Sequence, residues 1–201
     1  MRFIGITGGV GAGKSAILAH LAAQPGVRVM LADEIAHELM EPGTDCFRKL
    51  KETFAGEPIY TPDGAFDRRQ LAAVLFSDEE KRKQLNAIVH PAVREYVIQQ
   101  KEKEEQEGRL SLLVLEAALL IEEQYDAVCD ELWYIYTSRE NRRARLKASR
   151  GYSDAHIDNI FASQLSEEEY RRHCKVVIDN NGTLEETLRQ TDKMLRREAD
   201  E

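Results

Sequence analysis

The chain has 201 residues, 42% hydrophobic and 32% charged, enough for one substantial core and suited to a single α/β domain carrying insertions. Its 28 Lys and Arg against 36 Asp and Glu leave a net charge of −8, which argues against a general nucleic-acid or membrane-surface binder. No segment reaches the roughly 18 apolar residues of a membrane span, and the widely spaced Cys46, Cys129 and Cys174 suggest neither a disulfide framework nor a zinc site, so a cytoplasmic enzyme is expected.

Arg2–Thr7 reads as a short buried strand and Ser15–Ala22 as the opening of a helix. Between them, Gly8-Gly9-Val10-Gly11-Ala12-Gly13-Lys14-Ser15 fills the phosphate-loop pattern G-x-x-x-x-G-K-[ST] at every fixed position. Its four glycines let the backbone turn its N–H groups inward, so Gly9, Gly11, Ala12 and Gly13 are expected to cradle phosphates beside a helix N-terminus. Lys14 should reach the β- and γ-phosphates of a nucleotide, and the Ser15 hydroxyl should hold Mg²⁺.

Val27–Leu31 is a second short strand, and Asp33 follows its carboxyl end, where ligands collect in open parallel sheets. Two roles are open to it on position alone. It could accept a proton from an attacking hydroxyl, or it could cap the helix over Glu34–Met40. Residues 41–108 lack strong strand signals and read as an inserted helical unit, with Glu41-Pro42-Gly43 ending the preceding helix and Pro58, Pro62 and Gly64 marking a loop. Ser77-Asp78-Glu79-Glu80 has capping-box spacing for a helix over Lys81–Val89. His90-Pro91 is expected to interrupt that helix, and Pro91 to open another ended by Gly108. At such a junction His90 is either a ligand contact or a satisfied structural histidine.

Leu110–Leu115 is nearly continuous in apolar residues, as a parallel strand buried on both faces should be. It runs into Glu116, a carboxylate placed to orient Mg²⁺ or its waters, with Glu122 a weaker candidate. Leu132–Tyr136 and Val176–Ile178 are two more strands, and Thr183-Leu184-Glu185-Glu186 is a capping box for the last helix. Between these strands lie Arg139, Arg142, Arg143, Arg145, Lys147 and Arg150, six cations within twelve residues of an acidic chain. They form either a lid whose guanidinium groups close over phosphates or a basic helix paired with the many nearby glutamates.

Taken in order, these motifs resemble the dephospho-CoA kinase family over essentially the whole chain. Thr7–Ser15 is similar to the family's T-G-G-x-G-x-G-K-S, and Ala32–Ala36 to its D-A-D-x-I-A, with Leu31 in place of the first aspartate. Phe54-Ala55-Gly56, Asp63-Gly64, Asp67-Arg68, Leu85-Asn86, His90-Pro91, Gln164 and Val177–Gly182 continue the match. The resemblance implies an α/β P-loop fold like that of the nucleoside-monophosphate kinases: a five-stranded parallel sheet flanked by helices, an acceptor-binding insertion and a lid. The core would comprise 1–40, 109–138 and 175–201, the insertion 41–108 and the lid 139–174.

The same resemblance implies ATP and dephospho-CoA as partners, Mg²⁺ as cofactor, and transfer of the γ-phosphoryl group to a ribose 3′-hydroxyl. Asp33 then matches the catalytic aspartate, with Lys14 and Arg145 as further catalytic groups. Arg142 and Asn180 fall on the ATP side, Asn180 toward the adenine. His90, Arg94 and Glu116 fall on the acceptor side, and Ser15 and Glu116 at the metal. A monomer is expected, with weak self-association left open, and no nucleic-acid or membrane partner. Besides Leu31, three further places depart from the pattern. Glu116-Ala117-Ala118 stands where the family has D-x-P, Arg150 comes one place later than in R-L-x-x-R, and Asn159 replaces an arginine. A kinase of another hydroxylated acceptor and a nucleotide-binding switch are the competing readings, though no guanine-reading N-K-x-D occurs.

Overall fold

The computed structural model describes residues 1–196; residues 197–201, assigned to the core by sequence, lie outside the described residues. Five strands form one sheet: β1 (Arg2–Thr7), β2 (Val27–Leu31), β3 (Leu112–Glu116), β4 (Glu131–Tyr136) and β5 (Val176–Asp179), in the order β2-β3-β1-β4-β5. β1 runs parallel to both β3 and β4, and β4 parallel to β5. Each strand comes from one of the five runs read in the sequence. β1, β3 and β4 are buried at nearly every position because helices cover both faces. Phe3, Ile4, Ile6, Leu113, Leu115 and Trp133 are completely buried and make up much of the sheet's packing.

The chain divides into two compact units, Met1–Met30 with Glu104 onward, and Leu31–Lys103. The first holds most of the sheet with α1 (Lys14–Ala22), α6 (Arg139–Arg150), α7 (Asp154–Ala162), α8 (Glu167–His173) and α9 (Leu184–Arg196). The expected capping box opens α9, where Thr183 Oγ1 accepts from the Glu186 N–H and the Glu186 carboxylate accepts from the Thr183 N–H. A second, unforeseen box of the same kind opens α8 at Ser166 and Glu169.

The second unit holds α2 (Ala32–Leu39), α3 (Asp45–Thr53), α4 (Arg68–Ser77) and most of α5 (Glu79–Glu107). Two sequence expectations fail here. Ser77 ends α4, and Asp78 rather than Ser77 caps α5, its carboxylate accepting from the Glu80 and Lys81 N–H groups. Nor does the helix break at His90-Pro91: α5 runs 29 residues straight through Pro91. Leu85, Val89, Val93 and Val97, spaced four apart, are all buried, so one apolar stripe continues across the proline. Burying three valines and a leucine, at roughly 1.5–3 kcal/mol each, outweighs the ~3 kcal/mol that an internal proline costs. Ala87 and Pro91 are exposed, so the proline lies on the side of the helix away from that stripe.

Leu113→Ala, in a strand paired directly with β1, is expected to lower unfolding free energy by about 2–5 kcal/mol, read as a lower urea midpoint with unchanged slope.

Candidate active site

β1 ends at Thr7 and α1 begins at Lys14, which leaves Gly8–Gly13 to turn the chain through the loop between them. Gly13 caps α1 with φ 86°, a left-handed conformation that suits glycine and disfavours other residues. The turn is tightened by the Ala12 N–H donating to the Gly9 carbonyl at 3.0 Å. Lys14 Nζ folds back to donate to the Gly8 carbonyl at 2.7 Å and pairs with Glu116 Oε1 at 3.3 Å. Glu116 reaches it because β3 lies beside β1 with Ile6 opposite Glu116, so the end of one strand meets the loop that leaves the other. Ser15, in the first turn of α1, is exposed.

The loop is held from its outer side. A phosphate loop points N–H groups inward and therefore turns carbonyls outward. The Ala12 carbonyl accepts from Asn180 Nδ2 at 2.7 Å, Thr137 Oγ1 at 3.0 Å and Arg145 Nη1 at 3.3 Å. Asn180 follows β5 and is buried, and its Oδ1 accepts from Thr187 Oγ1 in α9 at 2.9 Å. Arg145 Nη2 donates to the Asn180 carbonyl at 2.7 Å. Arg145 and Asn180 are thus committed to the outer side of the loop. Thr137, buried at the end of β4, was not singled out from sequence, where a threonine one residue past a strand carries no distinctive signal.

The basic segment divides by helix face. Arg143 pairs with Asp154 at 2.7 Å and with Asp158, and Lys147 pairs with Asp154 at 2.7 Å, so the partners are aspartates of α7 and not the glutamates expected from sequence. On the opposite side, Arg142 is 8% exposed and Nε donates to the Val10 carbonyl at 2.9 Å. Its Nη2 donates to Gln164 Oε1, and its guanidinium lies 4.4 Å from the centre of the Phe161 ring. Burial holds the Arg142 pKa below the usual arginine value, the direction expected of a cation short of water. Leu146, Ile157 and Phe161 form an apolar cluster that takes in Val10 of the loop. Arg150 and Asn159 are exposed.

Tyr134 and Tyr170 stack 4.6 Å apart, and burial pushes both hydroxyls up to about 12. The three cysteines are free and buried, and burial raises the Cys174 thiol to about 12, far from a reactive thiolate.

Lys14, Ser15, Glu116, Arg142, Arg145 and Asn180 therefore share the sheet-bearing unit, while Asp33, His90 and Arg94 belong to the other. Of the two roles open to Asp33, capping is not used: Leu31 is the N-cap of α2, and no side chain caps it. Asp33 sits exposed in the first turn, accepting no hydrogen bond from the described residues. His90 and Arg94 are half-buried one turn apart on α5, at a spacing that places them on one face, and both are engaged with neighbours.

A phosphate loop at the end of the central strand, a lysine–carboxylate pair beside it and arginines against it define a P-loop protein with the architecture of a small-molecule kinase. Residues 2–186 match the family model for dephospho-CoA kinase, and the chain belongs to that family. The dephospho-CoA kinase of Symbiobacterium thermophilum is 39% identical over 196 residues, covering 98% of this chain and 81% of the relative. The crystal structure of TT1252 from Thermus thermophilus is 33% identical with a TM-score of 0.78, covering 98% of this chain and 97% of that one. The Campylobacter jejuni dephospho-CoA kinase shares the fold with a TM-score of 0.73 at 21% identity, over 100% of this chain and 98% of that one.

Gly9→Ala would place a methyl group inside van der Waals contact with the Arg142 guanidinium. It is expected to weaken nucleotide binding at least tenfold by calorimetric titration while leaving the far-ultraviolet spectrum of the fold unchanged.

Proposed function

We propose that this protein transfers the γ-phosphoryl group of ATP to the ribose 3′-hydroxyl of dephospho-CoA, giving CoA and ADP. The observation that carries this reading is family membership across residues 2–186 in a chain whose Lys14, anchored between the Gly8 carbonyl and Glu116, stands on a fully formed phosphate loop. In the reaction the acceptor oxygen forms a bond to the γ-phosphorus, the bond from that phosphorus to the bridging oxygen breaks, and ADP leaves with the electron pair.

The chain's own groups divide the work. The loop N–H groups and Lys14 take the β- and γ-phosphates, and Arg142 adds positive charge beside the loop. Asp33 takes the proton from the 3′-hydroxyl, since its carboxylate is not consumed by capping. Arg145 and Asn180 act by holding the loop in shape, Asn180 on the adenine side, and His90 and Arg94 receive the acceptor. Ser15 and Glu116 are hard oxygen donors, which suits Mg²⁺ with its remaining sites left to phosphate and water. When bound there, the ion neutralises phosphate charge. We assign 41–108 to acceptor binding and 139–174 to the lid, working as a monomer in a cytoplasmic setting that the three free cysteines suit.

Two measurements test this. ADP release with ATP and Mg²⁺ should be rapid on dephospho-CoA and near background on adenosine, AMP or phosphopantetheine, with CoA as the product by mass spectrometry. Turnover on another acceptor alone would overturn the substrate. Asp33→Asn should keep ATP affinity within twofold and lower kcat by about 10²–10⁴-fold. A loss of less than tenfold, a barrier change of only ~1.4 kcal/mol, would remove Asp33 as the base.

A further inference from the structure

Arg142 is the buried cation of the site, and among the described residues no carboxylate lies within 4.0 Å of it. Its polar partners are two neutral acceptors, the Val10 carbonyl and the Gln164 amide oxygen, and its planar face is covered by Phe161. Arg143, its neighbour in sequence, has two aspartates. A buried guanidinium pays desolvation and is normally offset by an ionised partner. Neutral acceptors hold its Nε and Nη2 without cancelling its charge, so that charge is left unneutralised beside the loop. The close approach to Gly9 fixes where that charge lies.

We infer that Gln164 is a positioning residue for phosphate recognition: it holds the Arg142 guanidinium against the phosphate loop through a neutral acceptor and so keeps that charge available to the nucleotide. Gln164 lies two residues past the end of α7, with Phe161 on the last turn of that helix and Arg142 on α6. The helix pair therefore presents a preformed socket, and the arginine loses little rotamer freedom when an anion arrives. A glutamate here would bind Arg142 more strongly, through a charge-assisted bond, and for that reason would serve the nucleotide worse. The inference rests on the loop being a nucleotide site, and not on the identity of the acceptor.

The test compares wild type, Gln164→Glu and Gln164→Met by calorimetric titration with ATP and with adenosine, alongside thermal unfolding. Gln164→Glu should weaken ATP at least tenfold, leave adenosine within twofold, and unfold at the same or a higher temperature because it completes an ion pair. A residue that only supports the fold would instead lose stability and both ligands together, and that result overturns the inference. So does ATP affinity within twofold of wild type. Gln164→Met, which keeps the length and removes the acceptor, should lower kcat/KM for ATP at least fivefold with KM for the acceptor unchanged; wild-type kcat/KM in this variant also overturns it. Wild type that binds ATP without phosphorylating dephospho-CoA would refute the acceptor assignment and leave the comparison of ATP affinities intact.

Discussion

The carbonyl oxygen of Ala12 is where the phosphate loop is tied to the sheet. A loop that turns its N–H groups toward a ligand exposes its carbonyls on the far side, and each one needs a donor when it is buried. Here the donors come from three separate stretches of chain: Thr137 after β4, Arg145 on α6 and Asn180 after β5. Asn180 is itself oriented by Thr187 on α9 and by its own N–H, which donates to the Tyr136 carbonyl at 2.8 Å. Because β1, β4 and β5 lie side by side, their carboxyl ends bring these groups within reach of one atom. Disturbing any of the three ends would loosen the same loop.

Charge on the basic helix α6 follows the same economy of position. Arg143 and Lys147, one turn apart, face the aspartates of α7 and are neutralised there. Arg142 and Arg145 face the phosphate loop, and both are bonded to neutral oxygens alone among the described residues. The segment thus divides its cations: Arg143 and Lys147 pair with aspartates, while Arg142 and Arg145 lie against the loop. One face staples two helices together, and the other leaves positive charge beside the loop in an otherwise acidic chain. Helices α6 and α7 are further seated by apolar contact, since Val10 of the loop packs against Leu146, Ile157 and Phe161.

The second unit shows how tertiary burial overrides a local signal. A proline preceded by histidine reads as a helix boundary, because the missing N–H and the ring both disfavour continuation. In α5 the stripe of Leu85, Val89, Val93 and Val97 lies on the buried side while Pro91 lies on the exposed side. The proline interrupts only the solvent-facing side, and the packing gain extends over four turns. Sequence reading misplaced the cap at Ser77 for a related reason: Ser77 is taken up by the last turn of α4, which leaves Asp78 to cap α5.

What the sequence determined by itself was the set of local, covalently contiguous features. The five strands, the phosphate loop with Lys14 and Ser15, the α9 capping box and the position of Glu116 at a strand end all follow from short patterns whose physics is complete within about ten residues. The family motifs, spread over the full length, narrowed the reaction further. Only the tertiary structure decided which arginines of the basic segment face the loop, that Asn180 and Thr137 converge on Ala12, and that Gln164 lies on Arg142. These contacts join residues between 22 and 168 positions apart. Side chains so distant in sequence meet through strand order and helix rotation, and no periodicity in the sequence encodes either one.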